Sequence, residues 1–395
     1  MNELPDVTVV IPHHNGPELL RDCLTSLNRL SYPRNRVTVT VVDDASTDDS
    51  SVFLNKRFPD VKVVRNETNV GFAESINRGV QESQTDWVAF LNNDTRVDPE
   101  WLLALVRVTD VHSRVVCAAS KTLDWDGKRI TFQGGYLNFA GKGFEAACFA
   151  ESPEEIRNPK ELLFASGCGM LVHRQTFLDV GGFDKQFFGF YEDTDFGWRL
   201  NLMGLRVMLA PDSKVYHRGH VSFDAVGRKR RLALLERNAL WQIFKNYGEE
   251  TLEPVLCASL LLAIKRSEIL GRYGGRRVSG FYGESLPSLG KRLLGKRLRG
   301  LTRPAPYADE GGEITEAVTG FLNGLDEMAQ KRKEIQGRRC VPDPQILRSS
   351  FFPDPYRPWG FDVSMLETLD RGGYRDAIRE VVRTFGVDRF FSGAP

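Results

Sequence analysis

A chain of 395 residues is longer than a single hydrophobic core usually supports, so a large domain plus an extension is expected. Its 41% hydrophobic and 27% charged residues exclude a disordered or low-complexity protein, and a formal net charge of +1 selects no partner class. That near neutrality conceals an asymmetry, because Val226–Pro304 holds 17 Lys+Arg against 6 Asp+Glu.

The six cysteines (Cys23, Cys117, Cys148, Cys168, Cys257 and Cys340) include no CxxC pair and read as thiols in a reducing compartment. Met1–Asp6 is short and polar rather than a secretory leader. The best apolar stretch, Val255–Ile264, falls well below the ~18–20 residues of a spanning helix. The expectation is a cytoplasmic protein, lying at most peripherally on the inner face of the cell membrane.

In chain order, Val7–Ile11 is a β-branched run that stops at Pro12. Pro17 opens a helix in which Leu20, Cys23, Leu24 and Leu27 recur at helical spacing. Val37–Val42 is a second strand, broken by Asp43-Asp44-Ala45-Ser46, with Ser46 or Thr47 placed to cap the next helix. Val61–Val64 reads as a third strand, Gly71–Ser83 as a helix and Trp87–Leu91 as a fourth strand. Asp98-Pro99 begins another helix. Strands alternating with helices of this length predict right-handed crossovers and a parallel sheet covered on both faces. Ligands collect at the carboxyl ends of such strands. His13-His14-Asn15, Asp43-Asp44 and Asn92-Asn93-Asp94 should therefore line one cleft.

Further on, Ile130–Phe144 has a Gly-rich, hairpin-like character, and Leu162–Val172 is strand-like. Glu192–Met203 has helical spacing, while Val207–Leu209 and Val215–Tyr216 read as late strands. From about Ala225 the character changes to helices, basic clusters and a Pro/Gly-rich tail. Two parts are expected, a catalytic domain over 1–225 and a mainly helical basic extension over 226–395.

Taken singly, the polar clusters admit two readings each. Asp94 at a strand end suits a divalent ion that neutralises phosphate charge, or it caps the next helix or binds loop amides. Asp43 and Asp44 suit a base N–H or a ribose hydroxyl, or local capping. Tyr191–Arg199 sets Glu192, Asp193 and Asp195 at a helix start, where they favour the helix dipole or deprotonate a hydroxyl. His217 and His220 could complete a mixed oxygen and nitrogen metal site or be structural. No residue set has the spacing of a structural zinc site.

Together, and in this order, these pieces resemble the inverting glycosyltransferases of family 2, which have the GT-A fold. The matching features are Val9-Val10-Ile11-Pro12 with Asn15, Val41–Asp48, Asn69-Val70-Gly71-Phe72 with Asn77 and Gly79, and Asn92-Asn93-Asp94. Gly167–Leu171, Gly181–Asp184, Glu192–Asp195 and Tyr216-His217 continue the series. The likeness covers about residues 5–225, and within the family it is most similar to bacterial rhamnosyltransferase-type enzymes of cell-surface polysaccharide synthesis.

The resemblance implies an α/β, Rossmann-like, mostly parallel sheet flanked by helices, followed by the helical extension. It implies transfer, with inversion, from a UDP- or dTDP-sugar to a hydroxyl of a glycan or lipid-linked acceptor, with Mn²⁺ or Mg²⁺ as cofactor. Pro12, His14 and Asn15 would line the nucleotide pocket, and Asp43 and Asp44 would bind base or ribose. Asn69, Gly71 and Asn77 would border the base and phosphates, and Asn93 would face ribose or donor sugar. Asp94 and His217 would bind the metal, and Asp193 would be the base. Two departures stand out. The family's Asp-x-Asp begins here with Asn92, and the aromatic common between Pro and Asn is replaced by His13-His14.

The alternatives are a catalytically weak glycan-binding or scaffold protein on the same fold, and a sugar nucleotidyltransferase. The second would carry a Gly-rich basic phosphate loop, which Pro12–Gly16 is not. In the extension, Arg228–Arg231 and the apolar and basic alternation of Leu289–Arg299 fit a solvated face, a homo-oligomer interface or an anionic membrane surface. No motif points to nucleic acid.

Overall fold

The computed structural model describes residues 3–110, 114–145, 154–219, 227–273, 309–348, 351–359 and 363–391. They form two compact units, Met1–Tyr136 with Phe144–Ala225, and Leu137–Gly143 with Val226–Pro395.

In the first unit, β1 (Val7–His13), β2 (Val37–Asp43), β3 (Lys62–Arg65) and β4 (Trp87–Leu91) run parallel in the order β3-β2-β1-β4. Val7–Ile11 is at most 2% exposed at every residue. Burial of both faces explains why the run is β-branched and, apart from Thr8, apolar rather than alternating. The crossovers are α1 (Pro17–Leu27), α2 (Ser50–Arg57) and α3 (Phe72–Gln81). The buried face of α1 is Leu20, Cys23, Leu24 and Leu27, the spacing seen in the sequence. On α3, Gly79 allows close approach to β1, since a Cβ there would collide with Val10. The start of α2 departs from expectation, because neither Ser46 nor Thr47 caps it. Asp48 accepts from the Ser50 N–H at 3.0 Å, while the Ser46 hydroxyl accepts from the Asn15 N–H at 2.9 Å.

Beyond β4 the sheet is mixed rather than parallel. Its remaining strands are β5 (Thr95–Val97), β6 (Val115–Asp124), β7 (Ile130–Phe132), β10 (Lys160–Leu162), β11 (Gly169–His173) and β12 (Arg206–His217). β11 lies antiparallel between β4 and β6, and β12 runs parallel to β6. β5 and β10 pair antiparallel with β12, and β7 with β6. The strands β5, β7 and β10 have three residues each, too few for alternation to betray their direction in sequence. The two late strands of the sequence are one, β12, with an irregularity between Ala210 and Lys214. A separate ribbon joins β8 (Gly135–Leu137) to β9 (Gly143–Glu145). Helices α4 (Trp101–Thr109), α5 (Arg174–Asp179) and α6 (Glu192–Leu202) complete a mixed sheet flanked by helices.

The second unit is helical, with Arg228–Asn246 and Glu249–Tyr273 its longest described helices. Carbonyls at the end of Arg228–Asn246 accept from Arg332, Gln336 and Arg339, placing cations against the negative end of the helix dipole. Buried Glu236 holds Lys142 at 2.9 Å and Arg266 at 2.5 Å. Lys142 belongs to Leu137–Gly143, where Asn138 Oδ1 accepts the N–H groups of Ala140 and Lys142. Among the described residues no helix is long and apolar enough to cross a membrane. His220, Arg276-Arg277 and Leu289–Arg299 lie outside the described residues.

Candidate functional site

The pairings Pro12↔Val42 and His13↔Asp43, with Val10↔Phe90 on the other side of β1, bring three strand ends to one level. Side chains then tie them together. Asn93 Nδ2 lies 2.8 Å from His13 Nδ1, and His13 Nε2 lies 2.8 Å from Ser50 Oγ. With the Asn93 amide nitrogen donating, His13 carries its proton on Nε2 and donates to Ser50, which donates to Asp48 at 2.5 Å. Asp48 also accepts from the Gly16 N–H at 2.7 Å. Burial pulls the His13 imidazolium pKa from 6.5 down to about 4, although Asp43 and Asp48 pull the other way. The ring is therefore a neutral strut behind Asn93. The sequence drew attention to His14; only burial reveals His13.

His14 is exposed, with Nδ1 2.7 Å from the Asp44 carbonyl oxygen and Nε2 3.2 Å from Asn15 Nδ2. A carbonyl only accepts, so the ring carries its proton on Nδ1. Asn15, at φ 58°, receives the Thr47 N–H on Oδ1.

Asp43 and Asp44 are 1% and 4% exposed. Asp43 accepts from the Ser46 N–H at 2.9 Å and pairs with Arg65 at 2.5 Å. Asp44 accepts from Asn66 Nδ2 at 2.8 Å and from the Val70 and Gly71 N–H groups at 2.9 Å each. Both carboxylates thus organise loops at the strand ends. Asn77 is similarly engaged, with its amide exchanging two bonds with the Phe183 backbone, at 2.8 and 2.9 Å. Asn69 is exposed, Pro12 is half-buried, and Gly71 is buried at φ 87°.

The β5–β12 register places Thr95 opposite His217 and so sets Asp94 beside that imidazole. Asp94 is 2% exposed, and its Oδ1 is 3.1 Å from His217 Nε2. That oxygen has no hydrogen-bond partner; the imidazole is close but not aligned as a donor. Asn92 Oδ1 is likewise buried without a partner. Buried acceptors left unmade cost about 1–3 kcal/mol each, and an electropositive occupant would satisfy both. Oxygen and nitrogen ligands about 2.1 Å from one ion at right angles stand ~3 Å apart, and Asp94 and His217 fit that spacing. Among the described residues no group of three His, Cys, Asp or Glu side chains gathers for a metal. An ion held by these two side chains would leave positions for phosphate oxygens. Beside them the Arg218 guanidinium stacks on Trp125 at 4.0 Å and pairs with Asp22, while the Arg218 backbone N–H donates to the Asp94 carbonyl at 3.1 Å.

At the start of α6, burial sorts the three carboxylates. Asp195 is 0% exposed and bound to Arg199 at 2.9 Å, whose other nitrogens donate to the Val180 and Gly182 carbonyls. Glu192 is 5% exposed, and burial followed by the Asp193 charge raises its pKa well above the usual carboxylate range. Asp193 is the least buried of the three. Its Oδ2 accepts the Gly167 N–H at 2.9 Å and its Oδ1 the Thr194 N–H at 2.7 Å. Burial still raises its pKa, with those hydrogen bonds opposing. The adjoining Cys168 carbonyl accepts the Asn92 N–H at 3.3 Å, so one turn is shared by Asp193 and the Asn92–Asp94 cluster. Immediately before α6, Phe188, Phe190 and Tyr191 all have φ between 65° and 70°. Each such residue stores of order 1–3 kcal/mol, a cost concentrated at functional sites.

A comparison with protein families matches residues 8–180 to the family described as glycosyl transferase family 2. The O-antigen biosynthesis protein RfbC of Myxococcus xanthus is 28% identical over 230 residues, 54% of this chain and 17% of that protein. The N-acetylglucosaminyl-diphospho-decaprenol L-rhamnosyltransferase of Mycobacterium tuberculosis is 27% identical over 232 residues, 53% of this chain and 74% of that protein. Among solved structures, the mannosyltransferase PcManGT of Pyrobaculum calidifontis, in complex with GDP-Man and Mn²⁺, aligns with a TM-score of 0.46. Its identity is 15%, over 96% of this chain and 87% of that chain. The matches to the curated proteins thus cover about half of this chain, and of the M. xanthus protein only a small part. The match to glycosyl transferase family 2 spans residues 8–180, a little under half of this chain.

Proposed function

We propose that the chain is a metal-dependent inverting glycosyltransferase, moving a sugar from a UDP- or dTDP-sugar to a hydroxyl of a glycan or lipid-linked acceptor in cell-surface polysaccharide or glycoconjugate synthesis. The observation that carries this reading is the buried, unpartnered Asp94 Oδ1 standing 3.1 Å from His217 Nε2. Asp94 and His217 would hold Mn²⁺ or Mg²⁺, which when bound supplies positive charge against the diphosphate leaving group. Arg218 adds a fixed cation at the same strand end. Pro12, His14, Asn15, Asn69, Gly71 and Asn93 border the donor directly. Asp43, Asp44 and Asn77 act on it through the loops they hold.

In this reading Asp193 accepts the proton of the acceptor hydroxyl. The acceptor oxygen forms a bond to the anomeric carbon as the bond from that carbon to the diphosphate oxygen breaks. The bonding pair departs on the phosphate, and configuration inverts. The raised pKa of Asp193 makes it a stronger base than an exposed carboxylate. The two alternatives to Asp193 are disfavoured in place: Asp195 is committed to Arg199, and Glu192 holds its proton through burial. A lipid-linked acceptor is favoured by the likeness to a rhamnosyltransferase named for a diphospho-decaprenol substrate.

A thermal-shift panel of UDP-, GDP- and dTDP-sugars with Mn²⁺, repeated in EDTA and with Asp94→Ala, tests the reading, since ligands raise apparent stability by mass action. A metal-dependent shift that Asp94→Ala removes is expected. A shift indifferent to EDTA and to Asp94 would overturn the metal assignment.

A further inference from the structure

Between the carboxylate that holds the donor-side loop and the carboxylate proposed as base lies a short connector, Val70–Ala73. Its first side is fixed by Asp44, which accepts the N–H groups of Val70 and Gly71 at 2.9 Å each and offers its own carbonyl to His14 at 2.7 Å. Its second side is pressed against both supports of Asp193. At Gly71 the backbone is left-handed, and a Cβ would fall inside the carbonyl oxygen and ring of Phe188. Phe188 in turn accepts the Ala73 N–H at 3.3 Å and is the first of three left-handed residues leading into α6. One residue on, the tip of the Phe72 ring lies 3.0 Å from where a Gly167 Cβ would stand, and the Gly167 N–H is the donor to Asp193 Oδ2.

The geometry points to Gly71 and Phe72 as positioning residues that set the Asp193 carboxylate from the nucleotide side of the cleft. Gly71 seats the backbone that launches α6, and Phe72 seats the peptide that grips the carboxylate. The connector has no slack on either side, so displacement of the Asp44-bound amides is delivered to Asp193. Neither residue touches the reacting atoms. This rests on the reading of Asp193 as base, and a rigid contiguous path becomes a coupling only when measured.

The test uses the full chain and donor turnover read as released nucleoside diphosphate, with UDP-glucose, UDP-GlcNAc, GDP-mannose and dTDP-rhamnose as donors in Mn²⁺. Gly71→Ala drives a methyl into Phe188, and Phe72→Leu withdraws the ring from Gly167. For Gly71→Ala we expect kcat to fall about a hundredfold, the scale of an ångström-sized misplacement, and for Phe72→Leu about tenfold. For Phe72→Leu, affinity for the nucleoside diphosphate, measured by calorimetry, should stay within about threefold.

The discriminating readout is the acid limb of the kcat–pH profile. Burial raises the pKa of Asp193, which shares the first turn of α6 with Glu192 and Asp195, and the Gly167 N–H lowers it, so disturbing its seat moves that limb. A merely structural role would lower the amount of active protein and leave the limb in place. If Gly71→Ala does not fold, judged by circular dichroism, Phe72→Leu decides alone. An unmoved limb with unchanged kcat in Phe72→Leu overturns the positioning role. Turnover surviving in Asp193→Asn overturns the base assignment instead, so the two failures are told apart.

Discussion

Replacing Arg199 by Leu removes the guanidinium that pairs with a fully buried carboxylate. Asp195 is 0% exposed and bonds Arg199 Nε at 2.9 Å, and the remaining Arg199 nitrogens satisfy the Val180 and Gly182 carbonyls at 2.6 and 2.7 Å. Leaving one partner of such a pair alone costs about 3–5 kcal/mol. Asp195→Asn keeps a neutral acceptor for the guanidinium and loses only the charge assistance, about 2 kcal/mol. The double variant should be destabilised by less than the sum, because the second change removes a group the first has orphaned. Urea unfolding followed by tryptophan fluorescence measures all three, with Trp198 buried on the same helix. Below its unfolding transition, Asp195→Asn should turn over donor within about tenfold of the parent. The opposite pattern, unchanged stability with abolished turnover, would make Asp195 the reacting carboxylate and refute the sorting of the three acids by burial.

His13 titrates at about 4 in the folded chain against 6.5 when unfolded. Between those values the unfolded chain binds more protons, so stability is lost as pH falls through that window, by about 3 kcal/mol from this group. The difference between the parent and His13→Asn in pH-dependent urea melts isolates that contribution from the opposing one of Asp193 and Glu192, and curves of identical slope would contradict it. In the helical unit, Glu236→Leu strands two buried cations and should cost about 3–5 kcal/mol, whereas Lys142→Met leaves Glu236 its Arg266 partner and should cost about 1 kcal/mol. Equal losses in the two variants would count against that network. His217→Ala should weaken Mn²⁺ binding, measured by calorimetry in the presence of UDP, by at least about tenfold, and an unchanged isotherm would remove His217 from the metal site.

The parallel half of the fold was legible because a β-branched run at full burial and a helix stripe such as Leu20, Cys23, Leu24 and Leu27 each leave a periodic signature. The gathering of strand ends followed from topology, and the Asn93–His13 bond at 2.8 Å records it. What the sequence withheld is of two kinds. Three-residue strands such as β5 and β10 carry no period, and Leu137–Gly143 belongs to the helical unit although it interrupts the first in sequence. The other kind is the direction of polar side chains. Asp43, Asp44 and Asn77 read as ligands when met in a motif, and the structure shows each also engaged by backbone groups or by the neighbouring Arg65 and Asn66 side chains. Likewise Glu192, Asp193 and Asp195 are equivalent on paper, and only unequal burial separates them.

The most direct test of the account is to measure turnover and donor affinity together on Asp193→Asn, using whichever nucleotide-sugar the thermal-shift panel selects. If Asp193 is the base of a direct displacement, turnover falls by about 10²–10⁴-fold while the donor dissociation constant in Mn²⁺ stays within about threefold. Turnover that persists in Asp193→Asn, or donor binding that disappears with it, would contradict the assignment.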